Sequence, residues 1–166
     1  MVNEIDFNRT NDFDYIATHK LPDGKFIRIF FVKNIGTIPK INYYGWIYSV
    51  GLAVGKKKDI NNWFESAAYN KLTDLPTFTQ YGASTLYWAK RAIEQFIDIM
   101  KYRHNKFCIA ISGEDARRQR VYEKYCLKHG YFKGRVNYGG EFKGYVQDSF
   151  STDNTLIYHY DWKDEE

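Results

Sequence analysis

The stretch "GASTLYWAKRAIEQFIDIMKYR", residues 82–103, runs almost directly into "KFCIAISG", residues 106–113. No other feature restricts the fold as much. In the first stretch Leu86, Ala89, Ile93, Phe96, Ile97 and Met100 recur with a 3.6-residue period. This predicts a long helix with one apolar face, with Ser84 or Thr85 as its N-cap. The second stretch is a short unbroken apolar run, the pattern of a buried central strand. Upstream, "YYGWIYSVGLAVG" (43–55) alternates with period two. Trp46, Tyr48, Val50, Leu52 and Val54 share one face, and the smaller Ile47, Ser49, Gly51 and Ala53 share the other. Glycine and small residues inside a strand mark the close approach of another backbone or a ligand.

The remaining elements follow from turn chemistry. "FDYIATHKL" (13–21) and "KFIRIFFVK" (25–33) flank "PDG", a turn signature, and read as a hairpin. "NIGTIPKIN" reads as a connector, and "DINNWFESAAYNKL" as a short helix capped by Asp59. "DARRQRVYEKYCLKHGYF" (115–132) reads as a second helix, capped by Ser112 or Asp115 and closed by Gly130 in the left-handed region. Residues 131–138 and 154–162 read as two final strands around a glycine-rich loop. The order is strands, long helix, buried strand, helix, strands. It implies one domain over 1–166, α/β (α+β) in class: a mixed, mostly antiparallel sheet with helices on both faces. Residues 1–12 read as a loose arm or a short first element, and 163–166 as an acidic tail.

A chain of 166 residues suits a single core. Aromatic residues make up 19%, so that core is expected to be built largely of rings. The net charge of +4 is modest for a nucleic-acid binder. The first fifteen residues lack a charged-then-apolar leader pattern, and no apolar run approaches the roughly 20 residues that span a bilayer. A cytoplasmic protein without a membrane partner is expected. The two cysteines, Cys108 and Cys126, read as buried free thiols. The four histidines have no metal-ligand spacing.

Residues 115–132 carry a resemblance. Asp115 stands where the Gcn5-related N-acetyltransferase (GNAT) superfamily places an Asn in its fourth-helix motif. Tyr122 follows seven residues later, then Glu123 and Lys124 as "EK", and "HGYF" closes the phrase. The element order resembles that superfamily too, over residues 43–162. At the start of the long helix "TQYGAS" resembles the family's pyrophosphate loop, with Gly82, Ala83 and Ser84 at its small positions; Thr79 replaces the family's Arg or Gln. Exposed N–H groups at a helix N-terminus favour phosphate.

The resemblance implies transfer of an acyl group from acetyl-CoA to an unknown amine or protein acceptor. The pantetheine arm is then expected to lie like a strand between residues 46–54 and 106–112, against Val50 and Leu52. Tyr122 is expected to protonate the leaving thiolate as general acid, with Asp115 nearby and Arg118 among the cationic residues of a phosphate cradle. Glu65, Glu94 and Glu141 are general-base candidates by residue type alone.

Each residue also has a plainer reading. Tyr122 reads as a core ring, Asp115 as an N-cap, and Gly82 and Ser84 as a helix start. The basic run around Arg118 reads as a solvated face. A carboxylate at Asp115 is electrostatically poor beside a developing thiolate. A second hypothesis follows: a catalytically inactive GNAT-like interaction or assembly protein, acting as a homo-oligomer or with a virion partner. Residue usage rich in Asn, Lys, Ile and Tyr accords with a diverged phage protein. A third reading is a nucleic-acid binder using the basic helix and exposed rings.

Overall fold

The structure, a computed structural model, describes residues 5–9, 14–58, 60–61, 83–112, 116–139 and 153–165. Among the described residues eight strands form one sheet: β1 (Asn8–Arg9), β2 (Asp14–Lys20), β3 (Phe26–Ile38), β4 (Tyr43–Gly55), β5 (Lys106–Ile111), β6 (Phe132–Gly134), β7 (Asn137–Tyr138) and β8 (Thr155–Asp161). The helices α1 (Ala83–Arg103) and α2 (Ala116–Cys126) flank β5 in the chain. The sheet order is β1-β2-β3-β4-β5-β8-β6, with β7 on β3. Among the described residues only the β4–β5 pair is parallel, so the expected mixed, mostly antiparallel sheet is what forms. No helix among the described residues is long and apolar enough to cross a membrane.

The β2–β3 hairpin turns as its sequence requires. Gly24 takes φ +86, and the Lys25 amide donates to Asp23 Oδ1 at 3.0 Å. Within the expected N-terminal arm, Asn8–Arg9 pair with β2 as a short first element. Two boundaries differ from expectation. The stretch expected as a connector extends β3 to Ile38, because it pairs with β4 as far as Ile38↔Tyr43. Pro39–Ile41 then forms a single 3-10 turn. The strand expected over 131–138 splits in two, since β6 pairs with β8 and β7 with β3.

That split rolls the sheet. Three residue steps separate Gly134 from Asn137, a reach of about 10 Å. In a flat sheet the position beyond β3, where β7 pairs, would lie five strand spacings from β6, roughly 24 Å. The sheet therefore curls at this end until β7 bridges its two sides. Inside the curl Ile38, Tyr43, Ile47, Cys108, Ala110 and Ile157 form a small core, with Phe132, Val136 and Tyr138 packed against it. Gly36 admits β7: a Cβ there would meet the Asn137 carbonyl at 2.7 Å. The Ser49 and Tyr138 hydroxyls bond across the closure at 2.8 Å.

The larger core lies on the other face, under both helices. α1 presents Ala89, Ile93, Phe96, Ile97 and Met100, as its period predicts, and adds Trp88 and Ala92. Burying each large side chain stabilises the fold by about 1.5–3 kcal/mol. Rings dominate this core. Phe31 stacks on Phe96 with centroids 3.8 Å apart, and Tyr48 meets Tyr15, Phe96 and Phe107 edge-on. The Tyr48 hydroxyl reaches His104 Nε2 at 2.9 Å.

α1 begins at Ala83, so Ser84 and Thr85 lie in its first turn and do not cap it; a cap precedes the first helical residue. On the opposite face the chain leaves β4 in helical backbone at 57–58 and 60–61, where Asn61 Oδ1 accepts from Arg28 at 2.8 Å. The rest of the helix expected after Asp59 lies outside the described residues. α2 ends as predicted: Gly130 takes φ +85, and the Tyr131 amide bonds the Cys126 carbonyl at 3.1 Å.

Candidate functional site

β4 and β5 pair in register from Ile47↔Cys108 to Val50↔Ile111. There β5 ends, while β4 continues to Gly55. The two parallel strands thus part company at Val50 and Ile111, leaving a wedge. The reason is local: β4 has thirteen residues of strand sequence and β5 only six.

A cavity of about 310 Å³ fills the wedge. Val50, Gly51 and Leu52 form its β4 wall, and Ile111 and Ser112 the end of β5. Leu86, Ala89, Lys90 and Ile93 come from α1; Val121, Tyr122, Tyr125 and Cys126 come from α2. The volume is in the range of small-molecule sites, and the walls are apolar with a few polar tips, as such sites are.

Three expected residues converge here: Val50, Leu52 and Tyr122. Ala83 and Ser84 open α1, one turn before Leu86, and Arg118 lies in the first turn of α2. Gly82 and Asp115 lie outside the described residues, as do Glu65 and Glu141. Glu94 lies on the exposed side of α1 and accepts the Tyr125 hydroxyl at 3.0 Å. Gly51 was expected to admit a backbone or a ligand. The space beside its Cα is taken by the Phe30 ring, whose Cζ would lie 2.0 Å from an added Cβ.

Lys90, Tyr125 and Cys126 were missed as wall residues. Helical spacing could have found them. Lys90 follows Leu86 by four residues, and Tyr125 and Cys126 follow Tyr122 by three and four. The Lys90 ammonium lies 5.4 Å from the Tyr125 ring centroid. Burial, and then the Glu94 carboxylate, push the Tyr125 phenol above its ordinary range. Burial pushes the Cys126 thiol up to about 12, so at neutral pH this wall is an uncharged thiol and not a nucleophile.

α2 is held against the sheet at both ends. Gln119 Nε2 donates to the Asn154 carbonyl at 2.8 Å, and Glu123 pairs with Lys133 of β6 at 2.5 Å. These contacts fix the helix face that carries Tyr122. Among the described residues no group of three His, Cys, Asp or Glu could hold a metal ion. Compared with protein-family models, curated proteins and solved structures, the chain matches none.

Proposed function

We propose that the wedge binds acetyl-CoA and that the chain is an N-acyltransferase of the GNAT type, working in the cytoplasm on an amine acceptor. One observation carries this reading. The β4–β5 pair parts after Val50 and Ile111, and the opening is a cavity with Tyr122 on its wall. That is where the resemblance in residues 115–132 expects a pantetheine arm and a proton donor.

The fit is chemical as well as spatial. Val50, Leu52, Ile93 and Ile111 would pack an apolar arm and exclude water. The stretch of β4 beyond Val50 has no β5 partner, so its backbone can pair with an amide-bearing chain. The start of α1 and Lys90 would hold the anionic end. When bound, the thioester supplies an activated acyl group. Tyr122 lines the cavity, and its hydroxyl would hold the proton that the departing sulfur needs.

The test is calorimetric titration with acetyl-CoA of the wild-type chain and of Tyr122→Phe. Low-micromolar binding by both is expected, with acyl transfer to an accepted amine slowed about 10²- to 10⁴-fold in the variant. No heat at millimolar ligand refutes the reading.

A second reading is a non-enzymatic assembly protein, of phage origin, that keeps the fold for its surface. Exposed rings favour it: Tyr102 is 93% exposed, Tyr44 62% and Trp162 42%. Light scattering that finds a stable oligomer, together with a silent titration, is the result this reading expects.

A further inference from the structure

At one end the sheet outruns its helix. α1 finishes over Tyr15 and Tyr48: Arg103 Nη1 donates to the Tyr15 hydroxyl at 2.6 Å, and His104 Nε2 lies 2.9 Å from the Tyr48 hydroxyl. β3 and β4 run on past that point, with Lys33 opposite Tyr48, Ile35 opposite Trp46 and Thr37 opposite Tyr44. By strand alternation these residues share the helix face of the sheet. Burial fades along it. Tyr48 is 1% exposed, Trp46 is half-buried and Tyr44 is 62% exposed. Lys33, Ile35 and Thr37 are half-buried, whereas Ile27, Ile29 and Phe31, under the helix, are buried. Two rings, Tyr44 and Trp46, thus stand two residues apart, about 6.6 Å along the strand, on a face partly open to solvent.

Cations gather at the same place. The Lys33 ammonium lies over the Trp46 ring, 4.1 Å from its centroid. The Arg103 and Arg9 guanidinium carbons each lie 5.7 Å from the Tyr15 centroid. Burial, and then the Arg9 charge, hold the Lys33 ammonium below its ordinary value. Burial, and then Lys33 and Arg103, do the same to His104. These groups therefore feel one another's charge. Among the described residues neither Lys33 nor Arg103 pairs with a carboxylate. The partial negative charge at the end of α1 accounts for Arg103 and His104. It does not account for Lys33 and Arg9, which come from strands.

We propose that this end of the sheet binds single-stranded nucleic acid. Tyr44 and Trp46 stack on bases, and Lys33 and Arg103 neutralise the phosphates between them. A phosphate that draws Lys33 off Trp46 uncovers the ring for a base. A duplex keeps its bases stacked inside and offers these rings no partner. The net charge of +4 is no obstacle, because the local cluster attracts the strand and not the sum. The face lies at the C-terminal end of α1, apart from the basic helix α2 and from the cavity. It therefore stands whether or not the chain transfers acyl groups.

Fluorescein-labelled oligothymidylate of about 12 nucleotides is titrated with the full chain and followed by anisotropy. Oligouridylate and a duplex of the same length are run beside it. Saturable binding of either single strand is expected, with a Kd of about 1–100 µM near physiological salt and weaker binding of the duplex. Lys33→Gln should lower the salt slope by about 0.7, one phosphate's share on a single strand. Tyr44→Ala should weaken binding about 5- to 150-fold at unchanged slope, the share of one stacked base. Both side chains reach solvent, so both variants should melt close to the wild type. Arg120→Gln and Lys124→Gln, on α2, should leave binding unchanged. Absence of saturable binding, or equal binding of the duplex, overturns the proposal. So does inorganic polyphosphate that displaces the strand as well as unlabelled oligothymidylate of equal charge, since charge alone would then suffice. Dependence on Arg120 and Lys124, and not on Lys33 and Tyr44, overturns it by moving the site to α2. A dimer that Tyr44→Ala dissociates, with neither strand bound, overturns it by giving the face to a second copy of the chain.

Discussion

Gly51 is the position where a packing role and a ligand role separate most clearly. In Gly51→Ala the added Cβ would lie 2.0, 2.3 and 2.8 Å from three atoms of the Phe30 ring. Carbon atoms rest at about 3.5–4.0 Å, so the ring must retreat by about 1.5 Å. Phe30 is 1% exposed, so its retreat displaces a packed neighbourhood. Overpacking of this kind costs about 1–3 kcal/mol. Relief of glycine's entropy cost in a strand offsets about 0.5–1 kcal/mol. The expected net loss is about 0–2.5 kcal/mol, read as a lower urea midpoint at unchanged slope. Phe30→Leu withdraws the ring, and in that background Gly51→Ala should be neutral or stabilising. The coupling between the two sites should thus reach about 1–3 kcal/mol. Equal effects of Gly51→Ala in both backgrounds would refute the ring as the reason for glycine. So would a variant of wild-type stability that no longer binds acetyl-CoA, because Gly51 would then serve a ligand.

Two further predictions rest on protonation. His104 is held below its ordinary value of 6.5, first by burial and then by the Lys33 and Arg103 charges. The unfolded chain then binds more protons between the two values, so stability rises with pH through that window. It is fully present above 6.5 and is lost as pH falls toward the folded value; urea unfolding at pH 7.5 and 5.5 should show this, and His104→Gln should flatten the difference. Burial lifts Cys126 from 9.0 to about 12. The native thiol should react with iodoacetamide at pH 8 roughly a thousand times more slowly than in guanidinium, as followed by mass spectrometry. Comparable rates would contradict the buried wall.

The elements were legible wherever one periodicity ran long enough. α1, β4 and β5 appear within a residue or two of their expected bounds, because a stripe of Leu, Ile and Phe at 3.6 or at 2.0 has one way to reach a core. The failures have a common cause. "NIGTI" carries a weak local signal and became strand because it pairs with β4 on one side, as far as Ile38↔Tyr43, and with Asn137 and Tyr138 on the other; the strand expected over 131–138 was interrupted because Phe132–Gly134 pairs with β8 and Asn137–Tyr138 with β3. A contact between residues about a hundred positions apart leaves no local pattern. The site divides along the same line. Val50, Leu52 and Tyr122 were found through strand alternation and one helical phrase. Lys90 and Cys126 were missed because each looks like an ordinary helix residue until the opposite wall is in place.

The rolled end of the sheet also explains why the cavity opens where it does. On the concave face the segment around β6 and β7 seals the strands, with Phe132, Val136 and Tyr138 packed on the small core. Farther along β4 that face is filled by the Phe30 ring over Gly51. When β5 stops at Ile111, the gap beside β4 can therefore open only toward the helices. There α1 and α2 are held apart by the sheet and by the width of their own side chains, and the space between them is the cavity. A ligand in it touches both helices and the free length of β4 at once, so its binding is expected to tie α2 to the sheet more firmly. Amide exchange in α2, compared with and without bound acetyl-CoA, reads that coupling directly: slower exchange at residues 119–126 is expected, and unchanged exchange on a saturated protein would place the ligand elsewhere.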